Sequence, residues 1–173
     1  MRKSRAIPLK SGMPDSTSPA SATPEPITKT LKRFASLSRE DKMQTLLAYS
    51  RKLEPLPERF RTIDRAAFHV HECQTPVDII PEMRDGNLHF YAAVDTRQSP
   101  TVAAFLAIVF AAVNDHPPET TLALPSDFVS TVMSNIGLGA REVGLNAIVA
   151  RLKRYALEAQ SDRTKSKVEE AKP

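Results

Sequence analysis

A chain of 173 residues with 41% hydrophobic side chains is long enough to bury one core. It has no Trp and only 6% aromatic residues, which disfavours broad stacking surfaces for single-stranded nucleic acid. The net charge of +4 is uneven: residues 1–33 hold 7 basic and 2 acidic side chains, residues 151–173 hold 7 and 4, and residues 34–150 hold 10 and 14. The middle is therefore mildly acidic and the basicity belongs to the ends, which argues against nucleic-acid binding as the main function. The most apolar stretch, 101–113, is too short to span a bilayer, and the first residues lack the apolar core of a secretory signal. One cysteine excludes an internal disulfide and fits a reducing, cytoplasmic setting.

Residues 1–26 are rich in Pro, Ser, Thr and Ala without an apolar period, and read as a disordered tail. The Arg and Lys near the start leave an organellar transit peptide as the alternative, against which stand Asp15, Glu25 and the prolines. The folded domain is expected over 27–158, with a charged C-terminal tail over 159–173. A first helix over 27–35 places Ile27, Leu31 and Phe34 on one face. Ser38 is an N-cap for a second helix, amphipathic through Met43, Leu46, Leu47 and Leu53 and stopped by Pro55. The stretch 56–60 is an irregular connector.

The alternation of Phe68, Val70 and Glu72 with His69, His71 and Cys73 predicts a first strand. A second covers 77–80 and stops near Pro81; after the Asp85-Gly86-Asn87 turn a third covers 88–94. Three strands with short turns predict an antiparallel meander. A long helix follows from Pro100 or Thr101 to about Asn114, then a break at Pro117-Pro118. Ser126-Asp127 caps a short helix through Val132, and 136–139 is a loop. The last helix, 140–158, carries Leu145, Ile148, Leu152 and Tyr155 as a core stripe. Together these give an α+β fold, a three-stranded antiparallel sheet packed against several helices.

The chemistry centres on Cys73. A thiolate attacks sulfur, and local charge sets its supply. His71 and Arg141 are candidate cations that would favour it, whereas the adjacent Glu72 pushes the other way. Three readings are open: a small buried hydrophobe, a nucleophile exposed by the Gln74-Thr75-Pro76 turn, and a zinc ligand. In the last, His69, His71 and Cys73 at alternate strand positions supply three ligands, with His89 or Asp78 as a fourth. One thiol cannot supply the four thiolates that usually hold an iron–sulfur cluster, and there is no Gly-rich phosphate loop. A non-catalytic interaction module with an incidental cysteine is the blandest alternative. Gly144, inside a helix at a cost of up to about 1 kcal/mol relative to Ala, points to close packing against another element.

The Cys-Gln-Thr-Pro-Val turn at 73–77, the Asp85-Gly86 turn, the Ser99-Pro100-Thr101-Val102 helix start and Arg141-x-x-Gly144-Leu145 occur in an order that resembles the SufE family. The similarity runs from about residue 27 to 156 and omits both ends. It implies an α+β fold shared with IscU-like scaffolds, which themselves need several cysteines. It also implies iron–sulfur cluster assembly by sulfur transfer. Cys73 falls on the family's acceptor cysteine, at the tip of a loop between the first two strands, and Gln74 and Thr75 on the residues that usually follow it. Arg141 falls on the arginine associated with engaging a cysteine desulfurase, and Asp95 near an acidic position after the third strand. The implied partners are a SufS-like cysteine desulfurase and a SufBCD-like scaffold complex. Pyridoxal phosphate is expected in the desulfurase, and no cofactor on this chain. Glu72 departs from the glycine that many members carry before the cysteine.

Overall fold

The computed structural model describes residues 23–134, 136 and 139–170, the side chains of 167–170 excepted. Most of the expected N-terminal tail, and the transit-peptide alternative with it, lie outside those residues.

Helix α1 (Glu25–Ser36) has Pro26 in its first turn, and Ile27 and Phe34 are fully buried. Ser38 caps α2 (Arg39–Ser50): its Oγ accepts from the Asp41 amide at 3.2 Å and donates to the Asp41 carboxylate at 2.6 Å. The buried face of α2 is the expected one only in part: Leu46 is in the core and Leu53, beyond the helix end, packs against it. Met43 and Leu47 are each 48% exposed, while Lys42, Leu46 and Ser50 point inward. The Lys42 ammonium donates to the Thr131 and Ser134 carbonyls and to Ser134 Oγ at 2.9–3.2 Å. It satisfies carbonyls at the end of α5 (Phe128–Met133) that would otherwise be orphaned. These bonds and the burial of Leu46 share one face of the helix. Burial pulls the Lys42 pKa down.

The sheet has two strands, β1 (Val77–Arg84) and β2 (Asn87–Val94), paired antiparallel. Asp85 (φ +49°) and Gly86 (φ +82°) make the two-residue turn, both left-handed as a primed hairpin turn requires. The expected first strand does not form. Residues Ala66–Phe68 are a 3₁₀ turn, after which His69 makes one isolated bridge to Asp78. The sheet among the described residues is thus two-stranded, within a mixed α and β fold.

Pro81 does not stop β1, because it pairs with Phe90. Phe90 turns its amide and carbonyl away from β1, toward the Asn114 side chain at 3.0 Å each, so this pair needs no proline donor. One sheet face, with Val77, Ile79, Leu88, Phe90 and Ala92, joins the main core. On the other, Ile80 and Tyr91 are buried beneath the connector after α2: Phe60 lies 5.3 Å from the Tyr91 ring, and Arg59 bonds Glu82 at 2.9 Å. Burial pushes the Glu82 carboxyl up, but hydrogen bonds and charge from Arg84 and Arg59 outweigh it and hold its pKa below the usual value. The buried His89 has its ring nitrogens 2.8 Å from Asp115 and 3.1 Å from Glu54.

Helix α3 (Pro100–Val113) buries all but three of its residues, so it is apolar all round and runs through the centre. Each fully buried Phe, Leu or Ile there contributes about 1.5–3 kcal/mol. After the short α4 (Pro118–Leu122) and α5, a 3₁₀ turn at Gly139–Arg141 leads into α6 (Glu142–Glu170). Leu145, Ile148, Leu152 and Tyr155 form its buried stripe as expected. The helix does not end at 158: it continues through the charged segment, where Gln160 donates to Glu119 at 2.8 Å.

Candidate functional site: the Cys73 loop against the last helix

The residues before Cys73 form a post rather than a strand. The Val70 amide donates to the Val77 carbonyl at 3.0 Å, and His69 Nδ1 lies 2.8 Å from Asp78 Oδ1. Between Val70 and Val77 the chain makes a six-residue loop, 71–76, whose turn is held by the Cys73 amide on the Val70 carbonyl at 3.2 Å. Cys73 is half-buried at the edge of the core. Its side chain lies against α6 where that helix is bare: a Cβ on Gly144 would stand 3.1 Å from Cys73 Sγ and 3.3 Å from its Cα. The close packing expected of Gly144 is therefore packing against the thiol.

A cleft of about 470 Å³ opens beside this contact. Glu72, Cys73, Gln74 and Thr75 form one wall, the start of α6 and the turn before it form the other, and Val102 of α3 contributes too. The structure thus brings Cys73, Gln74, Thr75 and Arg141 together from segments almost 70 residues apart. Arg141 is exposed and makes no hydrogen bond or ion pair among the described residues. Val143 beside it is 74% exposed.

Two further candidates lie elsewhere. His71 is exposed, outside the cleft, with its ring centre 5.0 Å from that of His69. Asp95 lines a separate groove of about 680 Å³. There its Oδ1 accepts from the Arg97 and Gln98 amides at 2.9 and 3.0 Å, closing the turn after β2. Nor do the three residues of the zinc reading converge. The His69 and His71 rings are neighbours, but His69 is engaged by Asp78, and Cys73 turns away to α6. Among the described residues no group of three His, Cys, Asp or Glu is disposed to hold a metal ion.

A family model described as SufE, Fe-S metabolism associated domain, matches residues 28–156. The chain belongs to the SufE family. Two relatives, each named an uncharacterized SufE-like protein, come from Mycobacterium tuberculosis strains CDC 1551 / Oshkosh and H37Rv. Each is 33% identical over 151 residues, covering 83% of this chain and 99% of the relative. The solution structure of a hypothetical protein from Thermus thermophilus has the same fold with a TM-score of 0.66. It is 28% identical, across 80% of this chain and 98% of that one. Membership associates this SufE-family chain with iron–sulfur metabolism. No helix among the described residues is long and apolar enough to cross a membrane.

Sequence reading missed Val102 and Val143 as lining residues, and Arg151 altogether. Arg151, on α6, donates to the His69 carbonyl at 2.7 Å and to the Ala67 carbonyl at 3.3 Å. An arginine on the flank of an amphipathic helix looks solvated in a sequence. No local signal identifies its carbonyl partners, which lie more than 80 residues away.

Proposed function

We propose that this chain is a sulfur carrier. Cys73 accepts persulfide sulfur from a SufS-like cysteine desulfurase, stimulates that enzyme, and hands the sulfur to a SufBCD-like iron–sulfur scaffold complex in the cytoplasm. The observation that carries the reading is the seat of the chain's one thiol: half-buried on a six-residue loop, at the edge of a cleft whose far wall is the exposed start of α6. Family membership supports the same chemistry.

The transfer is redox-neutral. Cys73 thiolate attacks the terminal sulfur of the partner's persulfide, and a bond forms between Sγ and that sulfur. The partner's own S–S bond breaks, and its electron pair leaves on the partner's cysteine thiolate. Cys73 now carries a persulfide, and an acceptor thiolate repeats the exchange downstream. Pyridoxal phosphate, which strips sulfur from free cysteine, belongs to the desulfurase. Here Arg141 engages that partner, Gln74 and Thr75 shape the loop beside the thiol, and His71 and Asp95 contact the partner around it. The cleft gives the extra sulfur a sheltered position, which slows its oxidation.

Intact-mass measurement after incubation with an active desulfurase and cysteine tests the proposal. One added sulfur, about 32 Da, that disappears in Cys73→Ser is the expected result. An unchanged mass with a matched, active desulfurase overturns it.

A further inference from the structure

The Cys73 loop stands on two posts, and only one is part of a strand. On the far side Val77 begins β1 and is held along the hairpin. On the near side lies the 3₁₀ turn Ala66–Phe68 followed by His69 and Val70, a segment with little regular structure of its own. Such a turn leaves carbonyls without backbone donors at its end. The carbonyls of Ala67 and His69 are two of these, and the Arg151 guanidinium takes both, at 3.3 and 2.7 Å. The shorter distance is that of a strong charge-assisted bond. A planar fork spans two acceptors with one rigid group, which an ammonium does not do. Arg151 is half-buried, its guanidinium carbon 5.9 Å from the centre of the Tyr155 ring on the same helix. The aromatic face limits where it can swing.

Arg151 lies seven residues beyond Gly144, two turns along one face of α6. The same helix therefore touches the segment twice: at the thiol through Gly144, and at its base through Arg151. We infer that Arg151 is a positioning residue for sulfur transfer, pinning the base of the Cys73 loop to α6 so that only residues 71–76 are free to move. This rests on the sulfur-carrier reading and assigns to it a residue that touches neither the thiol nor the cleft. Six residues pivoting on fixed ends can lift the thiol off Gly144 and return it to the same place. Without the fork the near post keeps only its ties to β1, Val70 to Val77 and His69 to Asp78, and the seat on Gly144 is less sharply defined.

Amide hydrogen exchange and thiol alkylation on the full chain, without any desulfurase, test the clamp. In Arg151→Ala the amides of Val70 and Cys73 should exchange about tenfold faster, as expected for loss of a charge-assisted bond. Those of α3 should keep their protection. Alkylation of Cys73 by N-ethylmaleimide should accelerate severalfold. Arg151→Lys, which reaches one carbonyl, should fall between, and it decides the matter if the alanine variant does not fold. Parent-like exchange at Val70 and Cys73, with parent-like alkylation, overturns the clamp. In the sulfur-transfer assay the concentration of Arg151→Lys giving half-maximal transfer should rise several times more than the maximal rate falls. An equal loss in both would mark Arg151 as merely structural. If the parent itself gains no sulfur, the carrier reading fails while exchange and alkylation still judge the clamp, so the two failures are separable.

Discussion

Gly144→Ala places one methyl group where the structure has the least room for it. The new Cβ would stand 3.1 Å from Cys73 Sγ and 3.3 Å from Cys73 Cα, so its neighbour must give by a few tenths of an ångström. Two terms oppose each other. Replacing glycine in a helix by alanine contributes up to about 1 kcal/mol, less so close to the first turn. Overpacking a tight contact costs about 1–3 kcal/mol when the surroundings cannot yield. Here one side can yield, because Cys73 sits on a short loop whereas α6 is fixed by Leu145, Ile148 and Leu152 in the core. The strain is therefore relieved by moving the thiol, and net stability should change by less than about 1 kcal/mol. Urea unfolding reads the stability, and the rate of Cys73 reaction with a bulky aromatic disulfide reads the displacement. We expect near-parent unfolding with a severalfold faster thiol. A variant that is more stable by the full helix increment, with unchanged thiol reactivity, would refute the packing of Cys73 on Gly144.

Other outcomes follow from contacts described above. Lys42→Met keeps the buried stem but strips the carbonyls of Thr131 and Ser134 of their donor; it should cost about 2 kcal/mol in urea unfolding. Glu82 has a folded pKa below its unfolded value, so its contribution is present above about pH 4.3 and fades as pH falls through the folded pKa. The stability gap between the parent and Glu82→Gln should therefore be widest near neutrality and close on acidification; a constant gap from about pH 7 to about pH 3 would contradict the Arg84 and Arg59 contacts. Arg141→Ala, at an exposed position without partners among the described residues, should leave the melting temperature within a degree or two. It should weaken stimulation of the desulfurase, and undiminished stimulation would remove that role.

What could be read in advance was local. The Asp85-Gly86 turn, the Ser38 cap, the apolar run of α3 and the stripe of α6 each follow from spacing within a few residues, and each formed. The misreadings needed distant partners. Phe68 to Cys73 alternates like a strand, yet only His69 and Val70 find partners on β1, and the Arg151 fork draws the carbonyls of Ala67 and His69 onto α6 instead. Met43 and Leu47 look like core residues, but Lys42, bonded to the carbonyls ending α5, shares the inward face with Leu46. Pro81 reads as a terminator unless the register with Phe90 is known. The site was half legible. Cys73, Gln74, Thr75 and Arg141 meet, but Asp95 and His71 lie outside the cleft, because turn geometry rather than sequence proximity aims them.

The borders of the hairpin decide how another protein can join this one. Along β2 the Asn114 carboxamide bonds both backbone groups of Phe90, as a neighbouring chain would, and the His116 carbonyl accepts from the Leu88 amide. Along β1 a proline interrupts the row of donors. Among the described residues neither margin offers an unbroken ladder of vacant amides to a stranger, so strand addition and fibrillar stacking are discouraged. What stays open at the start of α6 is a surface of exposed side chains, Arg141 and Val143 among them, and a contact made through side chains alone is one that can be let go.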